Sequence, residues 1–290
     1  MRGILPRRAR AGNAPPRISL DFRGGKPYSA GAMKILCIGD VVGSPGRRVF
    51  ASVVPKLRAA GEVQAVIVNG ENAAAGRGIT PALADELLDA GADAITLGDH
   101  AWDQKEALAL AGSERPVVRP ANGGSGAPGR GWRVVSTPVG RFCVVNLLGR
   151  VFMNPADNPF EAVDALLAGP VPRDVPVLVD FHAEATSEKI AMGWHLDGRV
   201  AAVFGTHTHV QTADAAVLPK GTGYITDLGM CGPVRSVIGR EVAPVVRKFL
   251  GGMPQKFDVA GGPAALTGCV FDVDPATRLC RAATAVRFSE

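Results

Sequence analysis

The sequence predicts an α/β fold in one domain, with two sheets and helices outside them. Three observations carry this. Through the first third of the chain, short apolar runs alternate with helical patterns, at the pitch of βαβ units around a parallel sheet. In the middle and at the end, apolar runs instead follow one another closely, as paired strands do. The chain has 290 residues, 47% of them hydrophobic, which is enough to bury a full core.

Residues 34–38 form an apolar strand that ends in Gly39-Asp40, and Ser44-Pro45-Gly46 opens a helix reaching about residue 59. Residues 64–68 form a second strand, ending in Asn69-Gly70-Glu71-Asn72. Thr80 and Pro81 are an N-cap and a first-turn proline, and Leu83, Leu87 and Leu88 have helical spacing before Ala90-Gly91 stops the helix. Residues 94–97 are a third strand, ending in Gly98-Asp99-His100. Residues 132–136 and 142–147 read as a hairpin, 159–167 as a short helix, 175–181 as a buried strand ending in His182, and 184–192 as helical. Residues 201–204 form a buried strand before Gly205-Thr206-His207-Thr208-His209. Strands are then expected over 215–218 and 223–226, a glycine-rich loop over 229–233, a helix over 234–250, and a closing strand pair over 264–272 and 279–288.

The stretch 205–209 holds two of the five histidines. If it is extended, His207 and His209 point to the same side and offer paired imidazoles to a transition metal. Alone, the pair reads more readily as two hydrogen-bonded loop histidines. The other strand ends decide the matter. Asp40, then Glu71 with Asn72, then Asp99 with His100, then His182, then His207 with His209 each follow an apolar run, and ligands of open α/β sheets gather at the carboxyl ends of strands. Mixed oxygen and imidazole donors without thiolate fit Fe, Mn, Zn or Co. So many donors exceed what one ion needs. Two ions about 3.5–4 Å apart, bridged by a carboxylate, would use them in phosphoester hydrolysis by a bridging hydroxide, with an imidazolium protonating the leaving oxygen.

The net charge of +5 misleads: residues 1–32 hold seven basic side chains against Asp21, so residues 33–290 sum to −1. A near-neutral body offers no broad nucleic-acid surface. The basic segment has no apolar core of a secretory signal, and its prolines argue against an amphipathic transit helix. Met33-Lys34-Ile35-Leu36 reads as a natural start, so residues 1–32 are expected to be a disordered extension or an upstream mis-assigned start. No apolar run approaches the roughly 18 residues of a membrane span. Cys37, Cys143, Cys231, Cys269 and Cys280 show no C-x-x-C pairing and read as reduced thiols of a cytoplasmic protein.

With these residues in place, the sequence resembles the calcineurin-like metallophosphoesterase superfamily, and within it the YmdB-type bacterial phosphodiesterases. The matching motifs are Gly39-Asp40-Val41-Val42-Gly43, Asn69-Gly70-Glu71-Asn72-Ala73-Ala74, Gly98-Asp99-His100-Ala101-Trp102-Asp103, Asp180-Phe181-His182-Ala183-Glu184, the run from Gly205 through His209 to Asp214, and Gly229-Met230-Cys231-Gly232-Pro233. The resemblance covers nearly all of residues 33–290. It implies a four-layer α/β/β/α sandwich and a dinuclear Fe or Mn centre, with Zn or Co as alternatives. Asp40, Asn72 and His209 would hold the first ion, Asp99, His182 and His207 the second, and Glu71 would bridge them. His100 would be the proton donor. The implied substrates are cyclic nucleotides of the 2',3'- or 3',5'-type, and a homo-oligomer is left open.

Two departures are visible. The superfamily's Gly-Asp-x-His first motif has Val42 in place of its histidine, and the amide oxygen of Asn72 is expected to take over that position. The family's Gly-Asn-His is here Gly98-Asp99-His100, and the added negative charge predicts tighter metal binding and a less electrophilic pair. Two rival functions stand beside the diesterase: a nucleotide phosphomonoesterase, and a metal-binding regulatory protein of low turnover. Among neighbouring residues, Asp103 is a candidate to orient His100. Glu184 and Glu188 are candidates to support a ligating imidazole or to face solvent. His195 reads as a surface or loop histidine, Asp214 as a turn cap and Cys231 as lining the pocket. Asn69 and Asn146 have no assigned part.

Overall fold

The computed structural model describes residues 33–124 and 126–290; the expectation for residues 1–32 lies outside them. The elements follow in chain order. The first part holds β1 (Met33–Ile38), β2 (Asp40–Val41), α1 (Gly43–Ala59), β3 (Ala65–Asn69), α2 (Pro81–Asp89), β4 (Ala94–Thr96), a 3-10 turn at Lys105–Ala107, α3 (Leu108–Ala111) and β5 (Val117–Val118). The middle holds β6 (Trp132–Thr137), β7 (Gly140–Leu148), α4 (Pro159–Ala168), β8 (Val177–His182), α5 (Thr186–Leu196) and β9 (Ala202–Thr206). The chain closes with β10 (Ala216–Val217), β11 (Gly223–Ile225), β12 (Met230–Pro233), α6 (Val242–Gly251), β13 (Ala264–Val273) and β14 (Cys280–Ser289).

These strands build two mixed sheets. The first runs β2-β12-β13-β1-β3-β4-β5 with β14 on β13, and the second runs β10-β11-β9-β8-β7-β6. In the first, β1, β3, β4 and β5 are parallel while β13 runs against β1. In the second, β7, β8, β9 and β11 are parallel, and β6 and β10 are antiparallel edges. The period-2 alternation of strands sorts the side chains into layers. On β1, Met33, Ile35 and Cys37 face the second sheet, where they meet Phe142, Val144, Leu178 and Phe204. Leu36 and Ile38 face the other way, into Val49, Phe50 and Val53 of α1 and Leu87 of α2. On β7, Cys143, Val145 and Leu147 turn from the first sheet to Val163 of α4 and Met192 and Leu196 of α5. Phe204 and Phe271 stack across the sheets at 6.2 Å. The result is the α/β/β/α sandwich.

Local signals explain most boundaries. Thr80 caps α2 by accepting the Leu83 amide, and Asn158 does the same for α4 through the Phe160 amide, with Pro159 in its first turn. Two expectations are corrected. The helix expected over 234–250 begins only at Val242. Pro244 has no N–H to give and is tolerated only in a first turn. Ahead of it Val237 and Arg240 form a tight bridge, and the Ser236 hydroxyl accepts the Gly239 amide. The loop expected over 229–233 is strand β12, parallel to β2 and antiparallel to β13. Its small residues let α1 lie close: the Cys231 thiol faces the Gly46 carbonyl at 3.2 Å.

The five cysteines are buried and free, and burial pushes the Cys143 and Cys280 thiols up to about 12. Cys231 therefore lies under a helix and does not line a cleft. Among the described residues no helix is long and apolar enough to cross a membrane.

Candidate metal centre

The carboxyl ends of β3 and β4 in the first sheet and β8 and β9 in the second come together, with Asp40 of β2 beside them. Glu71, Asp99, His182 and His207 offer ligand atoms within 4.8 Å of one another. Glu71 Oε1 lies 3.1 Å from His182 Nε2, Asp99 Oδ1 lies 3.2 Å from the same nitrogen, and His207 Nδ1 lies 3.0 Å from it. A second group adjoins. The Asn72 amide nitrogen lies 3.3 Å from Asp40 Oδ1, 3.1 Å from Glu71 Oε1 and 3.3 Å from His209 Nε2. Glu71 thus touches both groups. All seven metal-ligand candidates from the sequence are in this cluster, and His100 is at its edge, its amide donating to Glu71 Oε2 at 3.2 Å. Asn72 differs from expectation in one respect: its amide nitrogen, not its oxygen, faces inward, and holding a cation requires the amide to turn over.

The premise for His207 and His209 also changes. β9 ends at Thr206, and both histidines leave the extended region, with φ of 98° and 64°, values few non-glycine residues adopt. The loop turns between them, so His207 meets the Asp99 group and His209 the Asp40 group. An anchor below holds this turn. The Asp227 carboxylate accepts the Thr208 amide and hydroxyl at 3.2 and 2.7 Å. It is itself ion-paired to Lys189 Nζ at 2.6 Å, with both side chains 1% exposed. Sequence reading missed this pair because 38 residues separate its members.

Proton positions follow from the partners. The Ile238 carbonyl can only accept, so His209 Nδ1, 3.0 Å away, carries the hydrogen and leaves the Nε2 lone pair facing Asp40. The Glu184 carboxylate, 3.2 Å from His207 Nε2, places the hydrogen there and frees Nδ1. For His182, the Thr206 hydroxyl gives its one hydrogen to Asp180 at 2.6 Å, so it accepts from His182 Nδ1 at 2.9 Å and Nε2 is free. Three imidazole lone pairs and three carboxylates converge, and each ring is held by a partner on its outer nitrogen, as metal-binding histidines are. This donor set fits transition-metal ions. Glu184 lies just before α5, whereas Glu188 accepts the Arg150 and Val151 amides.

Asp180 was overlooked by the sequence reading except within its motif. It is buried and accepts hydrogen bonds from Thr206, from Thr96 and from Asn69, which joins the two sheets beneath the site. Burial pushes its carboxyl up to about 6, against the lowering influence of His182 and the two hydroxyls. Asp40 and Asp99 go the other way. Burial alone would raise both, but the His209 contact on Asp40 and the His182 and His207 contacts on Asp99 outweigh it and hold both carboxyls well below the usual range. For His182 burial lowers the affinity for a proton, but Glu71 and Asp99 outweigh it and raise the ring overall, so the proton they draw to Nε2 is the one a cation there would displace. Gly98 completes the packing, because a Cβ there would strike Glu71 Oε2 and the His182 ring.

The remaining candidates are placed as follows. Asp103 Oδ2 lies 3.0 Å from His100 Nδ1 and is braced by Arg77 at 2.7 Å. His195 lies near the end of α5, paired with Asp164 at 2.9 Å. Asp214 accepts the Thr226 amide and hydroxyl. Asn69 supports the centre through Asp180 and by accepting the Glu71 amide, while the Asn146 side chain donates to the Asp180 carbonyl at 3.5 Å.

Comparison with known proteins shows the family. The family model described as YmdB-like protein matches residues 36–286. A 2',3'-cyclic-nucleotide 2'-phosphodiesterase of Bacillus subtilis (strain 168) is 48% identical over 246 residues, covering 85% of this chain and 93% of that protein. The crystal structure of a hypothetical protein from Thermus thermophilus matches with a TM-score of 0.84 at 44% identity, over 89% of this chain and 100% of the other. That of a Mycoplasma pneumoniae protein described as a novel phosphatase matches with a TM-score of 0.84 at 37% identity, over 89% and 94% of the two chains.

Proposed function

We propose that this chain, which belongs to the YmdB-like family of calcineurin-like metallophosphoesterases and is a metal-dependent phosphoesterase, hydrolyses cyclic nucleotides, of the 2',3'- or 3',5'-type, at a dinuclear centre. The carrying observation is the pair of donor groups that share one carboxylate: Glu71 Oε1 is 3.1 Å both from Asn72 Nδ2 and from His182 Nε2. Asp40, Asn72 and His209 would hold one ion, Asp99, His182 and His207 the other, and Glu71 both. Two such ions, Fe or Mn by donor type with Zn or Co as alternatives, would supply a nucleophile at neutral pH and neutralise the phosphoryl oxygens.

The chain's own groups do the rest. The Asp103 carboxylate accepts from His100 Nδ1, so that the ring, as imidazolium, would give its Nε2 hydrogen to the leaving oxygen. The His100 amide bond to Glu71 keeps this acid in register with the centre. The Asp180–Thr206 relay and Glu184 set the tautomers of His182 and His207. Residues 33–290 act as one domain in this reading, and five reduced, buried thiols suit a cytoplasmic setting. The chemical class of the partner is a small phosphodiester.

The test is metal analysis of the purified protein, followed by assay after Mn or Fe loading with bis-p-nitrophenyl phosphate, p-nitrophenyl phosphate and a cyclic-nucleotide panel. Two ions per chain and preference for the diesters are expected. Preference for the monoester would establish the phosphatase alternative, and no hydrolysis of any ester with two ions bound would leave the low-turnover regulator. His100→Ala should keep both ions and lose turnover on poor leaving groups; loss of an ion would make His100 a ligand.

A further inference from the structure

The loop that carries Asp99 and His100 also carries Trp102, an indole 38% exposed that the chemistry above does not use. It walls a cleft of about 90 Å³ that opens from Gly98 and Asp99 and is closed by Pro120, Leu148 and Asn154. The opposite wall belongs to the loop after β7. That loop is tied to the centre where the Gly149 amide donates to the His182 carbonyl at 2.9 Å, and Glu188 grips the next two amides. Two residues before Asn154 stands Phe152, 90% exposed with φ 61°, a left-handed conformation that bulky side chains rarely adopt. Arg119, also in the wall, is fixed there by donating to the carbonyls of Pro120, Ala121, Ala127 and Pro128 and keeps its positive charge. The Asn154 amide makes no hydrogen bond among the described residues and is free to read a polar edge.

We propose that this cleft seats the nucleobase of the substrate, with Trp102 as its stacking plane and Phe152 approaching from the facing loop. The inference rests on the phosphodiesterase reading and adds to it the group that distinguishes a nucleotide from other diesters. The size agrees. At about 90 Å³ the cleft is far below the roughly 300 Å³ from which whole-ligand pockets start, so it takes one planar fragment and leaves the phosphodiester at Asp99. Another cleft at the centre, about 290 Å³, is walled by His209 and by groups such as Val210, Met230, Val234 and Arg287; its one aromatic ring is the imidazole of a candidate metal ligand, and it has no Phe, Tyr or Trp. Base–aromatic stacking tolerates any base because each has a π-face, so the seat selects nucleotides as a class and favours purines through their larger overlap.

The test compares 2',3'-cyclic AMP with glycerol 1,2-cyclic phosphate, the same five-membered diester without a base. Trp102→Ala should raise KM for the nucleotide about tenfold, keep kcat within about twofold, and leave kcat/KM for the glycerol diester unchanged. Trp102→Phe should restore KM. In a separate binding readout, 3'-AMP should quench tryptophan fluorescence in the wild type and not in Trp102→Phe. Equal losses on both diesters would make Trp102 a support of the centre and overturn the base seat. A KM that moves with Arg287→Ala but not with Trp102→Ala would place the base in the other cleft and also overturn it. If the wild type hydrolyses neither diester, the phosphodiesterase reading fails by itself, and the 3'-AMP quench decides the base seat.

Discussion

A single methyl group at position 98 would meet the Glu71 carboxylate and the edge of the His182 ring. Gly98→Ala should therefore displace two donors while leaving both sheets intact. Metal analysis should show substoichiometric binding with an unchanged far-ultraviolet circular dichroism spectrum; full metal content would show that the neighbours can give way. Thr206→Val is the complementary change, keeping volume but removing the hydroxyl that links His182 Nδ1 to Asp180. With the tautomer no longer enforced, metal affinity should fall about 10–100-fold, measured by competition with a chromophoric chelator. The two groups of residues differ in how visible they are in sequence. Asp40, Glu71, Asp99 and His207 stand just outside apolar runs, where a polar side chain has no reason to be unless it faces a site. Asp180, Thr96 and Thr206 lie inside strands, and nothing local tells that they meet, because Thr206 reaches Asp180 from the neighbouring strand and Thr96 from the other sheet.

Elements show the same division between local and distant causes. The cap of α2 and the strand-end positions were legible because each depends on a few neighbouring residues. β12 was not, since the close approach that makes room for it rests on Gly46 of α1, where a Cβ would strike the Cys231 carbonyl, and the start of α6 turned on Pro244 together with the Val237–Arg240 bridge ahead of it. The Lys189–Asp227 pair joins α5 to the segment after β11 and has no local signature. Its energetics make a prediction. Both groups are buried, so Lys189→Met leaves Asp227 charged without its cation, a change that typically costs about 3–5 kcal/mol. Urea denaturation should show this loss as a lower midpoint with an unchanged slope. Because Asp227 also holds Thr208, the variant should bind metal less well even where it is folded; unaltered binding would show that the His207–His209 turn does not depend on this anchor.

At the scale of the molecule, the order of apolar runs and helical patterns pointed to two sheets with helices outside, and the resemblance implied four layers, but neither told which strand ends would meet. The structure sets the carboxylates Asp40, Glu71 and Asp99 on the first sheet against His182, His207 and His209 on the second. Ions at the centre would therefore be held by both halves of the sandwich at once, and their binding would oppose any separation of the sheets. An ion that binds the folded chain and not the unfolded one stabilises it by about 2.7 kcal/mol at a concentration a hundredfold above Kd. For a chain of this size each kcal/mol moves the thermal midpoint by roughly 2–4 °C. Chelation should thus lower the midpoint by roughly 5–10 °C per tightly bound ion, and resupply of Mn should restore it. Glu71→Ala, which removes the carboxylate common to both donor groups, should start near the chelated value and respond to neither treatment. A midpoint in Glu71→Ala that still falls on chelation would show that the two groups hold their ions separately, and would refute the shared carboxylate on which the dinuclear reading depends.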